Sequence, residues 1–344
     1  MMNWQVLTLC ALAALISSWL LTGAMRRYAL ASQLIDTPNE RSSHKLPTPR
    51  GGGVAFVITY LVAITALGLG GKLDLRLAVA TVAGGVVVAV LGFVDDRSGL
   101  SAGKRFLGHL AASIWVLAWL GGVPRIPIFG VLVNLWIFGP ALSLLFATWM
   151  INLFNFMDGI DGIASIEAIS VSLGGAWLWF AAGSGSGWIA ALLFAACVAG
   201  FLVWNFPPAK IFMGDAGSGF LGLAVAILAL WCGHDSPALF WSWFILVGCF
   251  MVDATTTLVR RVRRGGRFSE PHRTHAYQYA SRLHGSHKSV TLAVLALNVL
   301  WLLPVAALVA FGRLDGVLGV AIAYAPLVGL AFRYKAGDHA QQKV

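Results

Sequence analysis

A chain of 344 residues that is 58% hydrophobic, only 11% charged and carries 14 Trp, with a mean hydropathy of +0.80, cannot cover its apolar surface in water. This composition excludes a soluble globular enzyme and indicates a multi-span membrane protein; with no soluble basic domain behind its net charge of +10, it also argues against nucleic acid as a partner. Cys10, Cys197, Cys232 and Cys249 all lie in apolar stretches without C-x-x-C spacing. They read as small packing residues, not as a disulfide framework or a zinc site.

Polar breaks divide the chain into apolar stretches near 4–22, 53–70, 77–94, 106–122, 138–157, 163–181, 187–205, 217–232, 238–258, 290–310 and 315–332. A helix rising about 1.5 Å per residue needs about 20 residues to cross a hydrocarbon core of about 30 Å. The expected fold is therefore an all-α polytopic membrane protein of about eleven spans. In the first stretch MMNWQ has no basic residue and Arg26 and Arg27 follow the apolar run, so an uncleaved span is expected in place of a signal peptide. The segment 124–136, PRIPIFGVLVNLW, combines Pro with β-branched residues and predicts a short extended excursion. GGG at 51–53 and GSGSG at 183–187 mark turns. No repeat of fixed period and no low-complexity tail is visible.

Counting Lys and Arg on alternate sides of these spans leaves only Lys72, Arg76, Arg125 and Arg313 on one side, and the other twenty of the 24 on the opposite side. That bias places the rich side in the cytoplasm, the amino terminus outside and the carboxyl terminus inside. Asp95 and Asp96 in GFVDDRSGL, Asp158 and Asp161 in NFMDGIDGIA, and Asp215 in KIFMGDAGSG all fall on this cytoplasmic face. Asp near a helix start or before Gly is ordinary capping and turn chemistry. Five on one face, in a chain where carboxylates at membrane depth are costly, point instead to a shared site.

Carboxylate and amide oxygens suit Mg²⁺, with Mn²⁺ as the alternative, where zinc would call for clustered His or Cys. Basic residues stand near the acids: Lys45 and Arg50 in HKLPTPRGGG, Lys104 and Arg105 after the aspartate pair, and Arg273 with His272 and His275 in EPHRTHAYQ. Acids that hold a metal, ringed by cations, are how a protein gathers a diphosphate for in-line displacement. Arg260, Arg261, Arg263, Arg264 and Arg267 are left to topology and lipid contact, and Asn152, Glu167 and Asp253 to supporting or helix-packing roles.

Five segments in order, DTPNERSSHKLPTPRGGG, GFVDDRSGLSAGKRFLGH, NLFNFMDGIDGIAS, NFPPAKIFMGDAGSGFLG and EPHRTHAYQ, resemble the polyprenyl-phosphate N-acetylhexosamine-1-phosphate transferases (glycosyltransferase family 4). The resemblance spans nearly the whole chain and implies a single integral-membrane transferase domain over 1–344. It implies transfer of a sugar-1-phosphate from a UDP-N-acetylhexosamine to undecaprenyl phosphate at the cytoplasmic face of a bacterial inner membrane, releasing UMP. Carried over by motif, Asn155 and Asp215 would hold Mg²⁺, Asp95 and Asp96 would position or deprotonate the lipid phosphate, and Asp158 would support metal and diphosphate. Asp161 would contact the uracil, Lys45 and Lys104 the nucleotide and phosphates, and His272, Arg273 and His275 would close over the sugar diphosphate.

The peptidoglycan enzymes of this family carry three clustered histidines where this chain has HRTHAYQ. That form is similar to the O-antigen-initiating branch, which uses UDP-N-acetyl-6-deoxyhexoses in lipopolysaccharide biosynthesis. UDP-GlcNAc in another envelope polymer pathway is the alternative donor, membrane lipids are the surrounding partners, and a homodimer stands open beside a monomer. A cation-coupled transporter would also place acids in apolar spans, but near the midplane and with internal repeats.

Overall fold

The computed structural model describes residues 3–38, 46–266 and 273–338. Lys45 and His272, two of the expected site residues, lie outside the described residues. In chain order the helices are α1 (Trp4–Ala31), α2 (Gly53–Leu69), α3 (Leu75–Ser98), α4 (Ala102–Leu120), α5 (Phe138–Met157), α6 (Ile163–Ala181) and α7 (Trp188–Asn205). There follow α8 (Asp215–Asp235), α9 (Pro237–Leu246), α10 (Gly248–Arg263), α11 (Ala276–His284), α12 (His287–Leu297), α13 (Leu303–Ala310) and α14 (Gly316–Arg333). A π-helical stretch, Asn298–Leu302, makes α12 and α13 one continuous rod.

Eight of these rods are long and apolar enough to cross a bilayer, and nine if the pair α9 and α10, bent by 66°, is one broken span. All eleven apolar stretches of the sequence are helical. The shortfall from eleven lies in α2, which has 17 residues, and in α4, whose first turns carry Lys104 and Arg105. Large apolar side chains such as Leu9, Leu20, Val62, Leu145 and Leu300 stand exposed. In water such a surface would drive aggregation; on a multi-pass membrane protein it meets lipid. The segment 124–136 forms the expected extended excursion, an antiparallel hairpin of β3 (Ile126–Ile128) and β4 (Val131–Val133).

The core is built around α8, of whose membrane window 94% is buried. Its sequence GSGFLGLAVA is rich in small residues, which let neighbouring backbones approach where lipid tails supply no hydrophobic drive for helix association. Gly92 of α3 makes such a crossing at the start of α8: a Cβ there would lie 2.4 Å from Ala216 N and from the Asp215 carbonyl carbon. Gly92→Ala is expected to push α3 off the start of α8 and cost about 1–3 kcal/mol, read as a lower melting temperature in detergent. Gly329→Ala on α14, where a Cβ would meet nothing within 4 Å, is the matched control and should not lower it.

Two short strands after α1 and before α2, β1 (Ile35–Asp36) and β2 (Thr48–Pro49), pair antiparallel. The loop from β2 then zips onto the segment before α8: Phe212 N–H donates to the Pro49 carbonyl at 2.8 Å, and Gly52 and Gly53 N–H donate to Phe212 and Met213 carbonyls at 2.9 Å. These bonds bring PRGGG and IFMGD, distant in sequence, into one wall.

Candidate active site

The carboxylates gather because four helices turn over at one end of the bundle. α3 ends just past Asp95 and Asp96, where Gly99 takes φ +65°. α5 ends at Met157, with Asp158 following as its C-cap. α6 begins after Asp161 and Gly162, and α8 begins at Asp215 after Gly214, whose φ of +78° lets the chain turn into the helix. A side chain at Gly214 would also strike Asp96 Oδ2, which lies 2.4 Å from the Cβ position.

Asp96 is the centre of an ion-pair network. Its side chain is fully buried, and its Oδ1 accepts from Arg50 Nη2 at 2.6 Å and from Asp215 N–H at 3.0 Å, capping the start of α8. Arg50 Nη2 also reaches Asp215 Oδ1 at 3.0 Å. Arg105 Nη1 donates to Asp95 Oδ2 at 2.9 Å and stands 3.7 Å from Asp215 Oδ2. Asp95 Oδ1 accepts from Leu100 N–H at 2.5 Å. Burial opposes the charge on Arg50, but Asp96, Asp215 and Asp36 outweigh it and raise the guanidinium above its usual range.

Asp95, Arg105 and Asp215 face a cavity of about 700 Å³ that is also lined by His109, Asn152 and Asn155 and by His275, Tyr277 and Gln278. Asn155 Nδ2 donates to Ser218 Oγ at 3.1 Å, which fixes the amide. Of the aspartate pair, Asp95 lines the cavity and Asp96 stands behind it. Arg50 and Arg105, which the sequence set among the cations near the acids without a role of their own, are the ion-pair partners. The signal for Arg105 was present: Ala102, Arg105, Phe106 and His109 line the cavity at i, i+3, i+4 and i+7, one helical face. Lys104 lies off that face and is exposed, so of these two neighbouring cations it is Arg105 that lines the cavity.

Asp158 and Asp161 are not in that lining. Desolvation first, then repulsion from Asp215, Asp96 and Asp161, push the Asp158 carboxyl well above the usual range, with Arg50 opposing. A carboxylate raised in the folded state loses stability as pH climbs through and above the ordinary aspartate value of about 3.9. Asp158→Asn is therefore expected to melt higher than wild type by a margin that widens as pH rises above about 4, read as melting temperature against pH. Asp161 is already engaged: Oδ2 accepts from Ala209 N–H at 3.1 Å and Oδ1 lies 3.3 Å from His287 Nδ1.

His275 is buried and N-caps α11. Asp253 of α10, expected to support the site or to pack helices, holds this segment. Its Oδ1 accepts from Ala276 N–H at 2.9 Å and contacts His275 Nδ1 at 3.3 Å, and its Oδ2 accepts from Tyr277 N–H at 2.9 Å. Arg273 stands outside the cavity lining, and its carbonyl accepts from Arg282 Nη2 at 3.4 Å. Glu167 packs between helices, accepting from Asn298 Nδ2 at 2.6 Å. Among the described residues no three His, Cys, Asp or Glu side chains stand close enough to enclose a metal by themselves.

The sequence profile described as glycosyl transferase family 4 matches residues 78–233, the stretch from α3 to α8 that carries all five aspartates. Decaprenyl-phosphate N-acetylglucosaminephosphotransferase of Mycolicibacterium smegmatis is 32% identical over 98% of this chain and 91% of its own. A probable undecaprenyl-phosphate N-acetylglucosaminyl 1-phosphate transferase of Bacillus subtilis is 29% identical over 82% of this chain and 79% of its own. Phospho-N-acetylmuramoyl-pentapeptide-transferase of Moorella thermoacetica is 33% identical over 65% of this chain and 74% of its own. With a relative 32% identical along nearly its full length, and four of the five ordered motifs lining one cavity, the chain belongs to glycosyl transferase family 4, the polyprenyl-phosphate sugar-phosphate transferases.

Proposed function

We propose that this protein transfers an N-acetylhexosamine-1-phosphate from a UDP-sugar to undecaprenyl phosphate at the cytoplasmic face of a bacterial inner membrane. The observation that carries this reading is the single cavity in which Asp95, Arg105, Asn155 and Asp215 meet at the ends of membrane helices. A lipid phosphate at headgroup level and a nucleotide from water can meet only at such a boundary. The orientation rests on the twenty-to-four Lys and Arg bias counted from the sequence.

The reaction joins an oxygen of the lipid phosphate to the β-phosphorus of the UDP-sugar and breaks the bond from that phosphorus to the bridging oxygen, which leaves with its electron pair as UMP. Both reactants are anionic, so the site must offset their repulsion. Arg105, paired with Asp95, is placed to meet a phosphate at the cavity wall. Asp95, the member of the pair that faces the cavity, is the candidate to orient the acceptor phosphate or take its proton. Asp96 serves instead to seat Arg50 and the start of α8.

The donor set fits Mg²⁺. Asn155 and Asp215 present hard oxygen donors to one cavity, and Asp95, Asp96, Asp158 and Asp215 outnumber Arg50 and Arg105. A site with few protein ligands suits an ion that keeps waters and takes further oxygens from phosphate. When bound by Asn155 and Asp215 it would neutralise charge on the diphosphate. Asp158 would support it from behind, His275 would face the sugar diphosphate, and Asp161 would support the nucleotide pocket from its bonds to Ala209 and His287.

The names of two relatives support N-acetylglucosamine as the donated sugar, whereas HRTHAYQ supports an N-acetyl-6-deoxyhexose and a place at the start of O-antigen assembly. Purified protein is tested with UDP-GlcNAc, UDP-FucNAc and UDP-QuiNAc, following UMP. Release that requires both Mg²⁺ and undecaprenyl phosphate is expected, with one donor preferred. Absence of release with every donor sinks the reading.

A further inference from the structure

The last described segment, Tyr334–Asp338, follows α14 and takes no part in the chemistry above, yet it is tightly built in. Ala336 is fully buried. Gly337 takes φ +70°, and a Cβ there would lie 2.7 Å from the Thr257 carbonyl oxygen, so no larger residue fits without displacing the chain. On one side the segment grips α10. Arg260 Nη2 pairs with Asp338 Oδ1 at 2.7 Å, and Arg264 Nη1 reaches the same oxygen. Arg260 Nη1 also donates to the Ala336 carbonyl, and Arg264 Nη1 to the Gly337 carbonyl at 3.1 Å. These bonds correct the sequence expectation for Arg260 and Arg264: topology needs only positive charge, whereas here two guanidiniums are committed to one carboxylate and two backbone carbonyls.

On its other side the same segment grips the entry to α11. Gly337 N–H donates to the Thr274 carbonyl at 2.7 Å. The Lys335 ammonium sits 5.3 Å from the Tyr279 ring centroid, and Tyr334 Oη lies 3.3 Å from His284 Nε2. Thr274 immediately precedes His275, and His275, Tyr277 and Gln278 form one edge of the cavity. The grips on α10 and α11 are linked a second time through Thr257, whose Oγ1 donates to Asp253 Oδ1 at 3.1 Å, and Asp253 caps α11. The cavity edge is thus held from within by Asp253 and from outside by the carboxyl-terminal segment.

We propose that Tyr334–Asp338 is a strap that positions the His275–Gln278 edge of the cavity for the sugar-diphosphate donor, with Asp338 as its positioning residue. This rests on the reading of the cavity as a UDP-sugar site. Asp338 touches no substrate; it acts by tying the strap to Arg260 and Arg264, so that Gly337 stays bonded to Thr274. Loss of the tie should loosen the edge that receives the donor and leave the Asp95–Asp215 wall in place.

The test compares full-length wild type, Asp338→Ala and Asp338→Glu by donor kinetics, thermal melting and amide hydrogen exchange. For Asp338→Ala a donor KM raised about tenfold with kcat within about threefold of wild type is expected, together with faster exchange confined to residues 273–278. Asp338→Glu, which restores the carboxylate, should recover most of both. Unchanged KM and unchanged exchange overturn the strap. So does a variant that loses melting temperature, kcat and exchange protection across the whole chain, because that is a merely structural role. If wild type releases no UMP with any donor, the proposed function fails by itself. Exchange then decides: faster exchange limited to 273–278 supports the strap, and no change refutes it.

Discussion

Asp215→Asn is expected to lower UMP release by about 10²–10³-fold, the size of effect seen when one electrostatic contact to developing charge is removed. The loss should lie in kcat at saturating Mg²⁺ and donor. Asp215 faces the cavity through a carboxylate that Arg50 approaches at 3.0 Å and Arg105 at 3.7 Å, and the amide keeps shape while removing charge. The fold should survive, because the contact that caps α8 runs from the Asp215 backbone N–H to Asp96 and is untouched. Removing one of several crowded carboxylates also relieves repulsion. A melting temperature at or above that of wild type, with activity lost, is the expected pattern. Activity within a few-fold of wild type would remove Asp215 from the chemistry.

Arg50→Gln is expected to fail differently, in stability first. Arg50 Nη2 is the cation between Asp96 and Asp215, at 2.6 Å and 3.0 Å, and the Asp96 side chain has no exposure to water. Leaving that carboxylate without its partner should cost about 3 kcal/mol, the lower end of what breaking a buried pair costs, because Arg50 itself is partly exposed. Arg50→Lys should lose less, since one nitrogen makes both contacts and an ammonium can stand in its place. Thermal melting in detergent separates the two variants. Equal melting of Arg50→Gln and wild type would show that the pair contributes nothing to the fold.

Much of the fold was legible because bilayer physics is blunt. A hydrocarbon core leaves a chain no stable way to cross except as a helix or a closed barrel, so eleven apolar stretches became helices. Even the Pro-interrupted 124–136 showed its departure as a hairpin. The count of full spans was less legible, since α2 is short and α4 starts with two cations. The bend between α9 and α10 has no Pro or charge at Val247 to announce it. In the site, the aspartates were legible because each is an expensive charge in an apolar setting. Arg50 and Arg105 were visible as cations near the acids but not as partners of particular aspartates, while Arg260 and Arg264 hid among residues that topology alone would put there.

By itself, then, the sequence determined the solvent, the helical class, the clustering of five carboxylates at the ends of spans and the family, because each follows from local composition or from motifs short enough to read. Tertiary structure alone decided which member of each pair faces the cavity. Asp95 faces the cavity while Asp96, its neighbour in sequence, is buried behind it, and Arg105 faces it while Lys104 does not. Adjacent residues on a helix point about 100° apart, and which direction meets the cavity depends on how α3 and α4 pack against α8. That packing is set by glycine crossings such as Gly92, whose partners lie more than a hundred residues away, so no window of sequence contains the answer.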